Sequence, residues 1–377
     1  WGIGYVFLNV LASKLTTVFL SWLIERTSDM DIPAVTLIVF GVGMVLFMLP
    51  PIPGLPIYLT AGIVLVSVGM TSMGLVGAIG YAFGVSLVLK LCACSVQQAL
   101  IGAQLGGNIG IRQLVSINSE GVRAMRVVLS DRGMTARKVA VLVGGPDWPV
   151  SVLCGILGLD LLPVLVGTIP VVALIVPTVL CGSFAYMGSL ENEDGSDLYP
   201  WSDTMGAVAS AFSAGAMFYF TLSAAGAVKS TLANDQLQID AIPMDEEVAE
   251  ADAAAQKKAS VYGQATSWHN VPILVKLCLI LSALAMMGCV YLLVLFNAQC
   301  FREYDLMYTI REHLGGKWYN IVLPLGQWAL GFFVVSYLLL AGVFEAWAKR
   351  QTAKALREME SAEETTPLTA SEAATYA

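Results

Sequence analysis

The chain has 377 residues, of which 57% are hydrophobic and only 13% are charged, and its mean hydropathy is +0.73. Because soluble proteins contain about 25% charged residues, this composition excludes a water-soluble protein. The net charge of −8 arises mainly from acidic residues in connecting segments and the tail, so it predicts no nucleic-acid partner. The chain begins with Trp1 rather than Met, so we expect it to be processed or incomplete.

Apolar stretches recur along the chain, and each is long enough to cross about 30 Å of hydrocarbon. They predict about seven transmembrane helices at residues 2–24, 33–49, 73–91, 161–186, 204–228, 271–297 and 319–347. Two further apolar stretches, 51–70 and 139–159, are interrupted by proline and glycine. We expect each of these to enter the membrane and return to the same side. The predicted fold is therefore an all-α polytopic membrane protein with two opposed re-entrant helical hairpins.

The polar segments predict the orientation. Basic residues concentrate in segment 92–138, and the positive-inside rule places such a segment in the cytoplasm. Its basic residues alternate with apolar ones, which favours amphipathic helices on an anionic membrane surface over a plain solvated loop. These residues are Arg112, Arg123, Arg126, Arg132, Arg137 and Lys138. An acidic connector, 229–270, and a charged cytoplasmic tail, 348–377, complete the polar part.

The two interrupted stretches carry the same pattern, P-x-x-P-x5-G. The first runs from Pro53 to Gly62 and the second from Pro146 to Gly155. Two prolines three residues apart prevent a continuous helix. In a bilayer, the freed backbone groups must be buried in protein or line a wet cavity. Interrupted segments at matching positions of two halves indicate a transport site at an inverted-repeat interface.

These residues resemble the SNARE-associated Golgi protein, or DedA/VTT-domain, family over about residues 45–188. The resemblance rests on PPIPGLPIYLTAG followed by GLVGAIGYAFG, and on PDWPVSVLCGILGLDLLPVLVGTIPVVALIVPTVLCGS. It implies two re-entrant hairpins facing each other in a helical bundle, lipid movement between leaflets, and an endomembrane (Golgi or ER) or other organellar location. The expected domains follow in chain order. They are the N-terminal transmembrane helices (1–44), the VTT-like domain (45–188), a lumenal loop with a transmembrane helix (189–228), the acidic connector (229–270), two C-terminal transmembrane helices (271–347) and the charged tail (348–377).

The sequence departs from that family at two positions. Family members often carry an acidic residue near the first P-x-x-P, where this chain has Gly54-Leu55. Family members usually carry an arginine just before the second P-x-x-P, where this chain has Val143-Gly144-Gly145. What remains is Asp147, and an acidic residue at membrane depth predicts a function. It would hold an amine headgroup, with Trp148 adding a cation–π face, or carry a proton. The alternative is that Asp147 caps a helix at the membrane interface.

The sequence thus predicts a lipid-translocating protein of scramblase or flippase type that is not an enzyme and uses no metal or other cofactor. Its partners are membrane lipids, with protein partners if it belongs to a complex. The alternatives are an accessory subunit that keeps the fold without transport, and a proton- or cation-coupled solute transporter. The candidate translocation residues are Pro53, Gly54, Pro56, Gly62, Pro146, Asp147, Trp148, Pro149 and Gly155.

Overall fold

A computed structural model describes residue 11 and residues 13–50, 52–131, 133–192, 196–305 and 308–365. Within these ranges every regular element is a helix, apart from two isolated β-bridges. The chain divides into two compact units, a larger one from residues 4–249 and 304–320 and a smaller one from residues 250–303 and 321–377. The prediction of an all-helical chain is confirmed.

Five helices among the described residues are long and apolar enough to cross a membrane, as expected of an integral membrane protein. They are Gly54–Gly106, Leu161–Gly188, Ser202–Asn234, Ile273–Leu295 and Pro324–Glu358. They match five of the seven predicted spans. The span predicted at 33–49 is a helix of 17 residues, Ile32–Met48, which is about 25 Å long and shorter than the hydrocarbon layer. The span predicted at 2–24 lies partly outside the described residues.

Between Ser13 and Asp240, eleven helices of the larger unit are numbered here in chain order. They are α1 (Ser13–Thr27), α2 (Ile32–Met48), α3 (Gly54–Val96), α4 (Ile109–Leu114), α5 (Glu120–Ser130), α6 (Ala136–Gly144), α7 (Asp147–Ile156), α8 (Leu161–Thr168), α9 (Val172–Gly188), α10 (Ser202–Asn234) and α11 (Gln236–Asp240). A π-helical turn, Gln97–Gly102, and a final turn, Ala103–Gly106, extend α3. A 3₁₀ turn, Ile169–Val171, joins α8 to α9.

Helix α3 reverses direction at Gly74. This glycine has φ 69° and ψ 168°, a backbone conformation outside the helical region and accessible mainly to glycine. A Cβ atom added at Gly69 would lie 3.2 Å from the Cβ of Ala78, although nine residues of straight helix would span about 13.5 Å. The first half of α3 (54–73) and the second half (75–96) therefore run antiparallel.

Helix α2 runs parallel to the second half of α3. The hydroxyls of Thr36 and Tyr81 lie 2.9 Å apart, and Gln97 Nε2 donates to the carbonyl of Phe47 at 2.7 Å. Consequently α2 and the first half of α3 form a helical hairpin, with its bend in the segment between Met48 and Gly54. The buried side chains of this hairpin contribute to the main hydrophobic core of the unit.

Helices α6 and α7 form a second hairpin, which bends at Gly145 and Pro146. Val141 and Leu142 of α6 share a buried cluster with Val150 and Cys154 of α7. Outside this hairpin, α9 and α10 run antiparallel, because the hydroxyl of Thr178 lies 2.9 Å from that of Ser213 and the Sγ of Cys181 lies 2.9 Å from the Oγ of Ser210.

The smaller unit is built on two long helices. The remaining helices, in chain order, are α12 (Glu246–Ala265), α13 (Ile273–Leu295), α14 (Asn297–Cys300), α15 (Ile310–His313), α16 (Pro324–Leu340) and α17 (Ala346–Thr365). Helix α15 belongs to the larger unit. Backbone bonds from Arg302 to Ile321 and from Leu323 to Cys300, both 2.9 Å, pair α13 and α16 as a hairpin. Within the acidic connector, α12 is a helix of 20 residues.

Candidate functional site

Both P-x-x-P motifs occupy the first positions of a helix. Pro53 and Pro146 are the N-cap residues of α3 and α7, and neither helix has a side-chain cap. The second proline, Pro56 or Pro149, falls at the third helical position. The first-turn N–H groups of a helix have no intrahelical partner, and proline has no N–H. Each motif therefore leaves two free N–H groups, those of the two residues between its prolines.

The two helix starts face one cavity of about 400 Å³. Helix α7 runs parallel to the second half of α3, because Asp147 pairs with Lys90 and Gln98 Nε2 donates to the carbonyl of Leu159 at 2.7 Å. The first half of α3 runs the other way. The two helices thus leave the cavity in opposite directions, and both direct the positive end of the helix dipole towards it. We call this space the Lys90 cavity.

A buried ion pair reaches this cavity through Asp147, whereas Lys90 itself is not among the lining residues. Lys90 Nζ donates to Asp147 Oδ1 at 2.6 Å, and the lysine side chain is 2% exposed while the aspartate side chain is 26% exposed. The ammonium also lies 5.6 Å from the ring centroid of Phe47. Asp147 is therefore the ligand of a buried cation, and its side chain does not cap α7. The predicted alternative of a capping role is wrong in this structure.

Two aromatic side chains bring unused polar atoms to the cavity wall. The hydroxyl of Tyr58 and the indole Nε1 of Trp148 are buried and have no hydrogen-bond partner within the described part of the chain. Tyr58 is 3% exposed, and its ring packs against Phe47 with centroids 5.8 Å apart. Buried polar groups are nearly always satisfied, so these two donors are available to a water molecule or another partner.

The structure brings six of the nine predicted translocation residues together at the cavity and gives two of the others a packing role. The cavity is lined by Pro53, Gly54, Pro146, Asp147, Trp148 and Pro149. A Cβ atom at Gly54 would lie 2.7 Å from Asp147 Oδ2, which shows how closely the two motifs approach. Pro56, Gly62 and Gly155 are not among the residues that line the cavity, and a contact of any of them with a substrate stays a prediction.

Gly62 and Gly155 instead allow close helix packing between the two repeats. A Cβ at Gly62 would collide with the carbonyl of Val179 in α9, and one at Gly155 with the carbonyl of Gln98 in the extension of α3. Each contact has a second glycine on its other side. Gly182 faces the helix that contains Gly62, and Gly102 faces the helix that contains Gly155. Each interrupted helix is therefore packed against the long helix of the other repeat.

Lys90 is the charged residue of the candidate site that the sequence did not predict. It is the only charged residue between Gly54 and Gly106, which was an available signal. The predicted span 73–91 put it at a membrane boundary, whereas the helix continues to Gly106. Lys90 lies midway between Gly74 and Gly106, about 24 Å of helix from either. In the DedA/VTT family, the arginine stands just before the second P-x-x-P, which in this chain is the end of α6. The cation beside Asp147 is instead supplied by Lys90 of α3.

The basic residues of segment 92–138 largely bind other parts of the protein. Arg112 pairs with Asp245 and Glu247, and these hydrogen bonds raise the pKa of its guanidinium. Arg137 pairs with Asp235. The apolar face of α5 packs in the interior. Lys138 is 1% exposed and donates to the carbonyl of Asp131, so its predicted place on a membrane surface is wrong.

Three basic residues of this set remain. Arg132 lies outside the described residues. Arg123 and Arg126 lie on α5, beside a smaller cavity described below, and a contact of either with lipid stays a prediction.

No protein-family model, curated protein or solved structure matches the chain.

Proposed function

We propose that this protein moves phospholipids between the two leaflets of a membrane, with the Lys90 cavity as the point where a headgroup crosses. The observation that carries the proposal is the meeting of two uncapped helix starts and a buried ion pair at one cavity. The likeness of both P-x-x-P segments to the DedA/VTT family supports the same function. Its endomembrane location stays a prediction from that likeness.

Helix length supports a position of the cavity near the bilayer centre. The helix from 75 to 106 is about 48 Å long, close to the full thickness of a bilayer with its headgroups. Lys90 lies at its midpoint and thus near the bilayer centre. The hairpin of α2 with the first half of α3, and the hairpin of α6 with α7, would then be re-entrant from opposite sides. The first hairpin includes α2, so it begins earlier than the 51–70 segment predicted from sequence.

The orientation follows from the ends of the same helix. Beyond Gly106 lie Arg112 and the other basic residues of segment 92–138, so this end faces the cytoplasm by the positive-inside rule. The Gly74 end faces the opposite side, as does the start of α2. The hairpin of α6 with α7 then opens to the cytoplasm.

The cavity offers groups of both signs to a headgroup. Phosphate oxygens would accept hydrogen bonds from the free N–H groups of the helix starts, from Tyr58 and from Trp148. Asp147 would attract an amine or choline group. Because Lys90 and Asp147 neutralise each other, the cavity suits a zwitterionic headgroup rather than a strongly anionic one.

These groups would lower the barrier to crossing. A headgroup in hydrocarbon loses its water and finds no hydrogen-bond partners, and each unsatisfied polar group costs several kcal/mol. The cavity supplies such partners near the bilayer centre, where water is scarcest. Its volume of about 400 Å³ falls in the usual range of small-molecule sites, so a headgroup would enter while the acyl tails stay in lipid.

The test is a scrambling assay in proteoliposomes. Vesicles with fluorescent phosphatidylcholine in both leaflets are exposed to a membrane-impermeant quencher, which bleaches only the outer half in empty vesicles. We expect loss of more than half of the signal with the wild-type protein, and a slower loss with Asp147→Asn. Arg350→Gln, an exposed residue of α17, is the matched control and should act as wild type. If vesicles with wild-type protein bleach like empty ones, the proposal fails.

The same preparation separates the alternatives. A pH-dependent solute flux that is lost in Asp147→Asn, without lipid movement, would identify a coupled transporter. Absence of any flux, together with stoichiometric co-purification of another membrane protein, would identify an accessory subunit.

A further inference from the structure

A second cavity lies in the larger unit, apart from the Lys90 cavity. Its volume is about 220 Å³, and its walls come from α5, from the segment 242–245 and from Leu157 at the end of α7. Leu157 is ten residues beyond Asp147, or about 15 Å of helix. The cavity therefore lies towards the end of the unit that carries the basic segment. Its two basic side chains are Arg123 and Arg126, and we call it the arginine cavity.

The two arginines have unused hydrogen-bonding capacity. Arg123 Nη1 donates to the carbonyl of Ile239 at 3.3 Å, but its Nε is buried without a partner in the described part of the chain. For the Arg126 side chain, no hydrogen bond or ion pair occurs among the described residues. The two are three positions apart on α5 and so share one face of the helix. Two guanidinium groups thus point to one small space with most of their donors free.

The nearby carboxylates are already engaged. One oxygen of Asp245 binds Arg112, and the other accepts the backbone N–H of Val248 at 3.1 Å. Glu247 also binds Arg112. Glu120, in the first turn of α5, is exposed. Neither Arg123 nor Arg126 therefore has a carboxylate partner in this part of the protein.

The segment that closes the cavity is held firmly in place. Asn118 Nδ2 donates to the carbonyl of Asp245 at 2.9 Å, and the N–H of Asp245 donates to Asn118 Oδ1 at 2.8 Å. Together with the Arg112 ion pairs, these bonds fix residues 242–245 opposite α5. The cavity is thus a built feature whose walls keep their separation, rather than a gap beside a loose loop.

We propose that the arginine cavity binds the phosphate group of a phosphomonoester. A guanidinium donates two parallel hydrogen bonds to phosphate, and two guanidinium groups match its charge of nearly −2. The small volume fits one phosphate rather than a large headgroup. The apolar wall residues Ile117, Leu157 and Met244 fit an alkyl substituent on that phosphate. This site is independent of the function proposed for the Lys90 cavity.

The test measures binding to the full chain in detergent micelles with three probes. They are inorganic phosphate, glycerol 3-phosphate and dioctanoyl phosphatidic acid. We expect saturable binding of at least one probe to the wild type. Arg126→Gln should weaken it about tenfold or more, because charge-assisted hydrogen bonds are lost. Arg123→Gln should do the same, and Arg350→Gln is the matched control that should keep wild-type affinity.

The outcomes separate the two sources of phosphate. Tighter binding of phosphatidic acid than of glycerol 3-phosphate identifies a lipid ligand, and equal or weaker binding identifies a soluble one. The inference is overturned if no probe binds saturably, or if Arg126→Gln binds as well as Arg350→Gln. Because Arg126 has no partner in the described protein, its substitution should leave the fold intact, which the thermal unfolding of the variant verifies.

Discussion

The Lys90–Asp147 pair makes a quantitative prediction about stability. At an effective dielectric constant of about 20, two unit charges 4 Å apart attract each other by about 4 kcal/mol. Removing each ion from water costs several kcal/mol, so the pair as a whole contributes little. Removing one partner is different, because it leaves the other charge buried alone. The two residues differ in this respect, since Lys90 is 2% exposed and Asp147 is 26% exposed at the cavity.

We therefore expect Asp147→Leu to lower the free energy of unfolding by about 3–5 kcal/mol, because it strands a fully buried ammonium. Lys90→Met should cost less, about 1–3 kcal/mol, because water in the cavity can solvate the remaining carboxylate. The double variant should be more stable than Asp147→Leu alone, since two apolar side chains replace the pair. Unfolding in mixed micelles with sodium dodecyl sulfate, followed by tryptophan fluorescence, measures all three.

The matched control is Lys349→Met, which removes a lysine from an exposed ion pair with Glu345 and should have no measurable effect. Two results would refute the reasoning. One is additivity of the two substitutions within about 0.5 kcal/mol, which would mean that the residues do not interact. The other is a larger loss for Lys90→Met than for Asp147→Leu, which would mean that the cavity does not hydrate the aspartate.

Two further predictions concern packing and the connector. Gly62→Ala and Gly155→Ala should each lower the free energy of unfolding by about 1–3 kcal/mol, because the new methyl group would collide with backbone atoms of another helix. Gly84→Ala is the control and should have no such effect, because its Cβ would lie in open space. Equal effects of all three substitutions would disprove the packing role. Arg112→Ala should speed proteolytic cleavage within residues 235–249, because it frees Asp245; an unchanged cleavage rate in limited proteolysis would contradict this.

Much of the site was predictable because its determinants are local. The P-x-x-P motif interrupts a helix through the chemistry of proline alone, so both interruptions were located from the sequence. The charge pair was not, because Lys90 and Asp147 are 57 residues apart and meet only through packing. Gly62 and Gly155 were identified as important, but their role depends on partners in other helices. A repeated pattern thus located the site without distinguishing residues that line it from residues that support it.

The span predicted at 33–49 is a helix in the structure, and whether it crosses the membrane stays a prediction. Its hydropathy is that of a transmembrane helix, and its 17 residues are close to the usual minimum length. In the function proposed above, its end beside the buried pair makes it part of a re-entrant hairpin instead of a full crossing. Hydropathy reports how apolar a segment is and carries no information about the direction the chain takes next. Lys138 shows the same limit of hydropathy. It is a basic residue beside an apolar stretch, and yet its side chain is buried in the protein.

The contact of Gly62 with α9 has a consequence for biosynthesis. Its partner in that helix is about 120 residues further along the chain, and ribosomes add about 5–20 residues per second. The first hairpin therefore emerges on the order of ten seconds before the surface that receives it exists. During that interval it must be shielded by the insertion machinery or by lipid. Truncated chains that stop before α9 should consequently be early targets of quality-control proteases.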